Sequence, residues 1–245
     1  VEVYQRCRQI CEFLLSQGAG TIVVACNTAT VGQIARLRQE FPVPFVGVEP
    51  GIKPAVLQSS NKCIGVLATK QTTESQKFNQ AVAGFTHDTR IVVQACPGLA
   101  QAVEDLQLNM TPLLQSYLDA VLRDDIDQLV LGCTHYSFLA PAIEAYVGPS
   151  VALIDTGLAV ARQLQRLLLE TNSELPHRSL KNRSSKNNKP GTHRDRFFTT
   201  GKLSRFQQQL AHLWPNADAR SQPLLFANPV TTNVIKACHF ETDAV

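Results

Sequence analysis

The chain of 245 residues lacks several features that place other sequences in well-defined classes. No apolar run is long enough to cross a bilayer, and no basic-then-apolar signal peptide opens the sequence. The seven cysteines are odd in number and include no C-x-x-C pair, so neither a disulfide framework nor a structural zinc site with paired ligands is expected. We therefore expect a protein of the reducing cytoplasm that binds no membrane and holds no metal. The cysteines are Cys7, Cys11, Cys26, Cys63, Cys96, Cys133 and Cys238.

Positive charge is scarce outside one segment. The chain carries 23 Lys and Arg against 20 Asp and Glu, a net charge of +3. Residues 176–196 hold seven of the basic residues and one acidic residue, Asp195, so the remainder carries a net charge of −3. A basic surface for nucleic acid across the fold is therefore not expected. The segment 171–196, rich in Asn, Ser, Lys and Arg, is predicted to be a flexible insertion, with an electrostatic docking loop as the alternative.

Short apolar runs alternate with stretches of helical periodicity along most of the chain. Hydrophobic residues make up 44% of the sequence, enough for a sizeable core. Because the predicted strands are apolar throughout and alternate with helices, they favour parallel sheets covered on both faces, the doubly wound α/β class. In such sheets the active site lies at the carboxyl ends of the strands. The predicted strands are 21–25, 43–48, 63–68, 91–94, 128–131, 151–154 and 197–200.

Two predicted strands end in a cysteine that is followed by small polar residues and a helix. The first run, 21–30, reads TIVVACNTAT and contains Cys26; the second, 129–136, reads LVLGCTHY and contains Cys133. Free N–H groups at the start of each following helix stabilise anions, either a thiolate or a substrate carboxylate. A lone cysteine at a strand end is usually part of the core, but two in matched settings indicate a shared chemical role. The polar residues after the cysteines are Asn27, Thr28, Thr134 and His135.

Inversion at a carbon needs two equivalent acid/base groups. One thiolate removes a proton from one face of the carbon, a thiol delivers a proton to the other face, and the roles exchange in the reverse reaction. A cysteine hydrolase needs one cysteine and a histidine, so His135 would fit, but the second cysteine would have no role. A pyridoxal phosphate enzyme fits poorly, because no lysine lies in a convincing cofactor setting. The residues therefore favour racemisation through Cys26 and Cys133.

The same two runs closely resemble the signature motifs of the bacterial glutamate racemase family. Four further stretches resemble this family in the same order along the chain. The resemblance implies a cofactor-independent enzyme that interconverts L- and D-glutamate and supplies D-glutamate for peptidoglycan synthesis in the bacterial cytoplasm. The further stretches are 47–55 (GVEPGIKPA), 67–78 (LATKQTTESQKF), Cys96-Pro97 with Glu104, and 198–201 (FTTG).

The resemblance also implies a role for each candidate residue. Cys26 and Cys133 would be the acid/base groups on opposite faces of the substrate. His135 and Glu104 would assist proton transfer at Cys133, and a structural histidine is the alternative for His135. Thr69 would make a further substrate contact. The residues implied to bind the carboxylates and the ammonium of the substrate are Asn27, Thr28, Thr134 and His135.

The fold of the family has two pseudosymmetric α/β domains with the active site in the cleft between them. Projected here, residues 1–53 and 156–245 form the first domain and residues 54–155 the second, so that each domain supplies one cysteine. The opening strand of the family, which ends in Asp-Ser-Gly, would lie upstream of this chain, and the chain alone is therefore expected to be inactive. Position 137 is Ser where the family usually has Pro, a change that we expect to be tolerated. A homodimer is compatible with these features and is not specified by them.

Other proteins could share parts of this pattern. A racemase for aspartate or hydantoin, or a related decarboxylase, would keep the two-cysteine plan, although the Cys-Thr-His-Tyr form of the second motif favours glutamate. The alternative from another class is an inactive fragment or a binding protein on the same scaffold, with the basic segment as its docking site. Retention of both cysteines counts against a binding protein.

Overall fold

Strands and helices alternate throughout the part of the chain that the structure, a computed structural model, describes, which is residues 2–174 and 197–213. The predicted α/β class is confirmed. The strands are β1 Ile22–Val24, β2 Phe45–Gly47, β3 Cys63–Ala68, β4 Arg90–Ala95, β5 Gln128–Gly132 and β6 Ala152–Ile154. The helices are α1 Glu2–Ser16, α2 Asn27–Glu40, α3 Ile52–Gln58, α4 Lys70–Thr73, α5 Gln76–Ala83, α6 Leu99–Glu104, α7 Thr111–Leu122, the 3₁₀ helix Thr134–Leu139, α8 Ala140–Val147, α9 Gly157–Glu174 and α10 Leu203–Leu213.

The strands pair in two parallel sheets. β1 and β2 form a two-stranded sheet, and the other four strands form a sheet in the order β4-β3-β5-β6. Every residue of β3 and β5 is buried, which is why these strands read as apolar runs without alternation. The carboxyl ends of β3, β4 and β5 lie side by side, since Ala68 is in register with both Ala95 and Gly132.

Helix α1 covers the two-stranded sheet together with α2. Its buried face carries Tyr4, Cys7 and Cys11, which pack in one cluster with side chains of α2 such as Leu37. Cys7 and Cys11 lie one helical turn apart, as expected for core positions on a single face. Burial and the neighbouring Cys7 raise the pKa of Cys11 to about 11, so this thiol stays protonated at neutral pH. These two cysteines therefore belong to the core.

The described residues fall into two compact units. Residues 2–160 form the first unit, which contains both sheets. The second unit contains the part of α9 from Ala161 onward and α10. The division into domains of 1–53 with 156–245 and of 54–155 stays a prediction. None of the helices in the described ranges is long and apolar enough to span a membrane.

Three local predictions differ from the structure. Helix α2 begins at Asn27 and not at Thr30, because Cys26 is already the N-cap residue. The helix after Cys133 begins at Thr134, as a 3₁₀ helix, and not at Ser137. The prediction of a strand at 197–200 is wrong. These residues form no strand, because they pair with none of the strands in the described residues. Of the predicted insertion, 171–174 continue α9, and 175–196 lie outside the described residues, as does the tail from residue 214.

Candidate active site

Both strand-end cysteines stand in extended backbone immediately before a helix. Cys26 follows β1 and is the N-cap of α2, and its half-buried sulfur accepts a hydrogen bond from the Ala29 N–H at 3.5 Å. That N–H group and the positive end of the helix dipole favour a negative charge on the sulfur. Cys133 follows β5, is buried, and precedes the 3₁₀ helix.

Glycine is required just before Cys133. A Cβ atom at Gly132 would come within 2.7 Å of the Leu67 carbonyl oxygen on the neighbouring strand β3, which is backbone and does not move aside easily. Only a residue without a side chain allows β3 and β5 to stay paired up to this point. The place of Cys133 at the strand end thus depends on Gly132.

A hydrogen bond joins the two cysteine loops, residues 25–28 and 133–136. The Thr134 hydroxyl donates to the Ala25 carbonyl oxygen at 3.2 Å. Ala25 directly precedes Cys26, and Thr134 directly follows Cys133. The structure therefore brings the two motifs together from two different sheets, although they are far apart in the sequence.

A chain of two polar contacts through His135 connects Cys133 to α6. The Cys133 sulfur lies 3.7 Å from Nδ1 of His135, and Nε2 of the same ring lies 2.7 Å from Oε1 of Glu104. Burial alone would lower the pKa of His135, but its hydrogen bonds to Cys133 and Glu104, and their charges, raise it to about 9. At neutral pH the ring therefore carries a proton on each nitrogen and presents a positive charge to the sulfur.

Three threonine hydroxyls form a closed cluster beside α2. Thr28 lies 2.9 Å from Thr69 and 3.1 Å from Thr72, and Thr69 lies 3.0 Å from Thr72, all measured between Oγ1 atoms. Thr69 is also the N-cap of α4 and accepts the Thr72 N–H at 3.2 Å. Thr72 was not among the predicted residues. Its spacing from Thr69, in the N-cap to N3 relation, was the available signal.

We expect replacement of Thr72 by Val to loosen this cluster. Thr72 is fully buried, so the change removes its hydroxyl while keeping its shape, and it leaves Thr28 and Thr69 each with one partner fewer. The expected loss of stability is about 1–2 kcal/mol, measured by urea denaturation. Thr73→Val is the matched control, because the hydroxyl of the half-buried Thr73 donates to the Lys70 carbonyl oxygen of its own turn and not to the cluster. Equal losses in both variants would contradict a role for the cluster.

Asn27 holds a buried acceptor without a partner. Its side-chain nitrogen donates to the Val48 carbonyl oxygen at 3.2 Å, while no described residue hydrogen-bonds its Oδ1 atom. The residue is 3% exposed, so the missing hydrogen bond is costly unless a ligand supplies it.

A cavity of about 140 Å³ lies against the second cysteine loop. Of the predicted residues, Asn27, Cys133 and Thr134 line it, whereas Cys26, Thr28, Thr69, His135 and Glu104 do not. Asp155 and Thr156 line it as well and were not predicted as site residues. They follow β6 directly, so the strand-end criterion that singled out the cysteines would have found them. The other lining residues are Ala25, Val48, Leu131, Ser137, Gly157 and Val160.

Metal-ligating side chains do not cluster in the part of the chain that the structure describes. No group of three or more His, Cys, Asp or Glu side chains there is placed to hold a metal ion.

The sequence profile of the Asp/Glu/Hydantoin racemase family matches residues 2–164. This chain belongs to that family. The family resemblance found in the two cysteine motifs is thereby confirmed, and the matched region includes both of them.

Proteins similar in sequence to this chain include glutamate racemases. The glutamate racemase of Pseudomonas putida strain W619 is 49% identical over 170 residues, which cover 68% of this chain and 64% of that protein. The glutamate racemase of Methylococcus capsulatus strain Bath is 43% identical over 225 residues, which cover 91% of this chain and 78% of that protein. The chain thus spans just under two thirds of the length of the first of these relatives.

A solved structure of a glutamate racemase shares the fold of this chain. Escherichia coli glutamate racemase, in complex with L-glutamate and the activator UDP-MurNAc-Ala, superimposes with a TM-score of 0.70 at 26% identity. The match covers 86% of this chain and 76% of the Escherichia coli chain. The racemase fold expected from the sequence is therefore confirmed.

Proposed function

We propose that this chain is the part of a glutamate racemase that carries both acid/base cysteines, Cys26 and Cys133, and that the enzyme works without a cofactor. The observation that carries the proposal is the hydrogen bond from Thr134 to Ala25, which joins the loops of the two cysteines. Two cysteines that approach from two sheets suit the two faces of one carbon atom. The similarity to the glutamate racemases of Pseudomonas putida and Methylococcus capsulatus supports glutamate as the substrate.

In the proposed reaction one thiolate removes the α-proton of glutamate, and the electron pair left on the α-carbon delocalises into the α-carboxylate. The opposite thiol then delivers its proton to the other face, which inverts the carbon and exchanges the roles of the two groups. The two sulfurs are supported by different means. Cys26 has the N–H groups and dipole of α2, whereas Cys133 has the positively charged ring of His135.

The remaining polar groups would hold the substrate. The unpartnered Asn27 Oδ1 is an acceptor in the cavity wall and suits the substrate ammonium. Thr28 and Thr69 carry hydroxyls that can turn from each other toward a carboxylate, and Thr134 lines the cavity and donates to the first cysteine loop. Glu104 balances the charge of His135 from the side away from the sulfur.

We further propose that the D-glutamate serves peptidoglycan synthesis in the cytoplasm. L-Glutamate is the abundant enantiomer, so the direction of biological use is toward the D form. A small-molecule substrate is supported by the Escherichia coli structure, which contains L-glutamate.

The test is chiral chromatography of glutamate incubated with the full-length gene product, since the relatives are longer than this chain. We expect L-glutamate and D-glutamate each to become the racemic mixture, without added cofactor and after dialysis against a chelator. In heavy water every inverted molecule should carry deuterium at the α-carbon.

The same assay separates the alternatives. Turnover of aspartate or hydantoin, with glutamate unchanged, would identify another racemase of the superfamily. Glutamate that binds in calorimetry but is neither inverted nor labelled would identify a binding protein. Either result would overturn the proposal.

A further inference from the structure

Tyr136 is the largest fully buried side chain in the described residues, and it directly follows His135. Its hydroxyl group points at the β4–α6 loop and donates to the Cys96 carbonyl oxygen at 3.4 Å. Neither the proposed reaction nor the substrate contacts use this side chain. Because Tyr136 is the neighbour of His135 on the same 3₁₀ helix, a shift of its backbone would also move His135.

The segment 96–104 receives hydrogen bonds from both residues. Cys96 stands at its start, and Glu104, the last residue of α6, stands at its end. Tyr136 binds the start through the Cys96 carbonyl, and His135 binds the end through the Glu104 carboxylate at 2.7 Å. Two neighbouring residues of the 3₁₀ helix therefore hold the two ends of one short segment. Slippage of the helix along this segment would break both contacts together.

We propose that Tyr136 is a positioning residue that keeps His135 aligned between Cys133 and Glu104. This inference rests on the proposed function, since it concerns the proton chemistry at Cys133. A ring displaced by even a fraction of an ångström would weaken its contacts to the Cys133 sulfur and to the Glu104 carboxylate.

The Tyr136 hydroxyl holds its proton more tightly than the hydroxyl of an ordinary tyrosine. Burial raises the pKa of Tyr136 well above its ordinary value, and the neighbouring Cys96 and Cys133 thiols raise it further. The contact to the Cys96 carbonyl therefore does not switch off when His135 titrates. The other titratable groups next to the His135 ring are Cys133 on its Nδ1 side and Glu104 on its Nε2 side.

A second tyrosine provides a matched control. The Tyr117 hydroxyl donates to the Pro97 carbonyl oxygen at 2.7 Å, so it binds the same loop one residue further along. Tyr117 comes from α7 and not from the 3₁₀ helix that carries His135. Tyr117→Phe therefore removes an anchor of the loop without removing the contact between the loop and the 3₁₀ helix.

The first measurement compares Tyr136→Phe with Tyr117→Phe in the full-length gene product. We expect Tyr136→Phe to lower kcat for glutamate about tenfold while KM changes less than about twofold, because alignment for proton transfer is lost and binding is kept. Tyr117→Phe is expected to keep both constants within about twofold. Equal losses of kcat in the two variants, or a loss confined to KM, would overturn the proposal.

The second measurement does not depend on racemase activity. The ring of His135, identified among the other histidines by comparison with His135→Asn, is titrated by NMR. Its pKa is expected to fall in Tyr136→Phe and to stay unchanged in Tyr117→Phe, because only the first change loosens the pair with Glu104. In a Glu104→Gln background the Tyr136 change should have little further effect. If the protein does not racemise glutamate at all, this titration still decides the inference, and an unmoved pKa in Tyr136→Phe would overturn it.

Discussion

Replacing either acid/base cysteine by serine is expected to abolish racemisation of glutamate, with kcat lowered about 10³-fold or more. Serine keeps the size of the side chain but is a far weaker acid, so it supplies no base at neutral pH. Each variant still has one of the two acid/base cysteines, and that thiolate can remove an α-proton and return a deuteron from heavy water to the same face. Cys26→Ser and Cys133→Ser should therefore each exchange the α-proton of only one enantiomer of glutamate, without inversion. The enantiomer that Cys26→Ser labels should be the one that Cys133→Ser leaves unlabelled.

Mass spectrometry of D- and L-glutamate, separated after incubation in heavy water, measures this exchange. Cys63→Ser is the control, because Cys63 lies at the amino end of β3, away from both cysteine loops, and it should retain activity within about twofold. Exchange of the same enantiomer in both serine variants would place the two cysteines on one face and contradict the two-base mechanism. Unchanged turnover in either variant would contradict it as well.

Replacement of Glu104 by Gln is expected to have the second largest effect, with kcat at pH 8.5 lowered about 10- to 100-fold. Gln keeps a hydrogen-bond acceptor for His135 but removes the negative charge. The folded pKa of His135 is raised to about 9, so the ring is charged below that pH and loses its proton above it. Without the Glu104 charge this pKa falls toward the ordinary value, and the basic limb of the pH profile for kcat/KM should move to lower pH.

The matched control is Glu74→Gln. Glu74 is exposed and forms a long surface ion pair with Lys70, so its charge contributes little and the pH profile should stay in place. A basic limb that stays in place in Glu104→Gln, or that moves equally in both variants, would show that Glu104 does not set the charge of His135.

The fold was predictable wherever an apolar run had no polar interruption. Strands β3 and β5 are buried throughout, and their predicted ranges agree with the structure to within one residue. The start of α2 was missed because Cys26 acts as an N-cap, a role that cysteine rarely takes. The run 197–200 has strand propensity, but a strand also needs a neighbour, and none of the described residues provides one.

The candidate site was predictable where the residues adjoin a cysteine in the sequence. The contact between Thr134 and Ala25 requires two sheets to meet, which no spacing in the sequence reveals. The same holds for Glu104, which reaches His135 from another helix and was suggested only by resemblance to a family. Asp155 was not predicted because the search was for cysteines after strands, and the residue after β6 is an acid. It nevertheless lines the same cavity as Cys133.

The glycine before Cys133 changes how the second motif should be used as a signature. Gly132 is fixed by the backbone of β3, and Tyr136 by the interior that it fills, whereas Cys133, Thr134 and His135 are proposed to carry the chemistry. A search for this motif therefore selects for two independent properties: the packing that requires the glycine and the tyrosine, and the acid/base chemistry proposed for the cysteine. Sequences that keep the glycine and the tyrosine but lose the cysteine would still match through the residues that determine the fold. They should be tested for ligand binding before they are assumed to be enzymes.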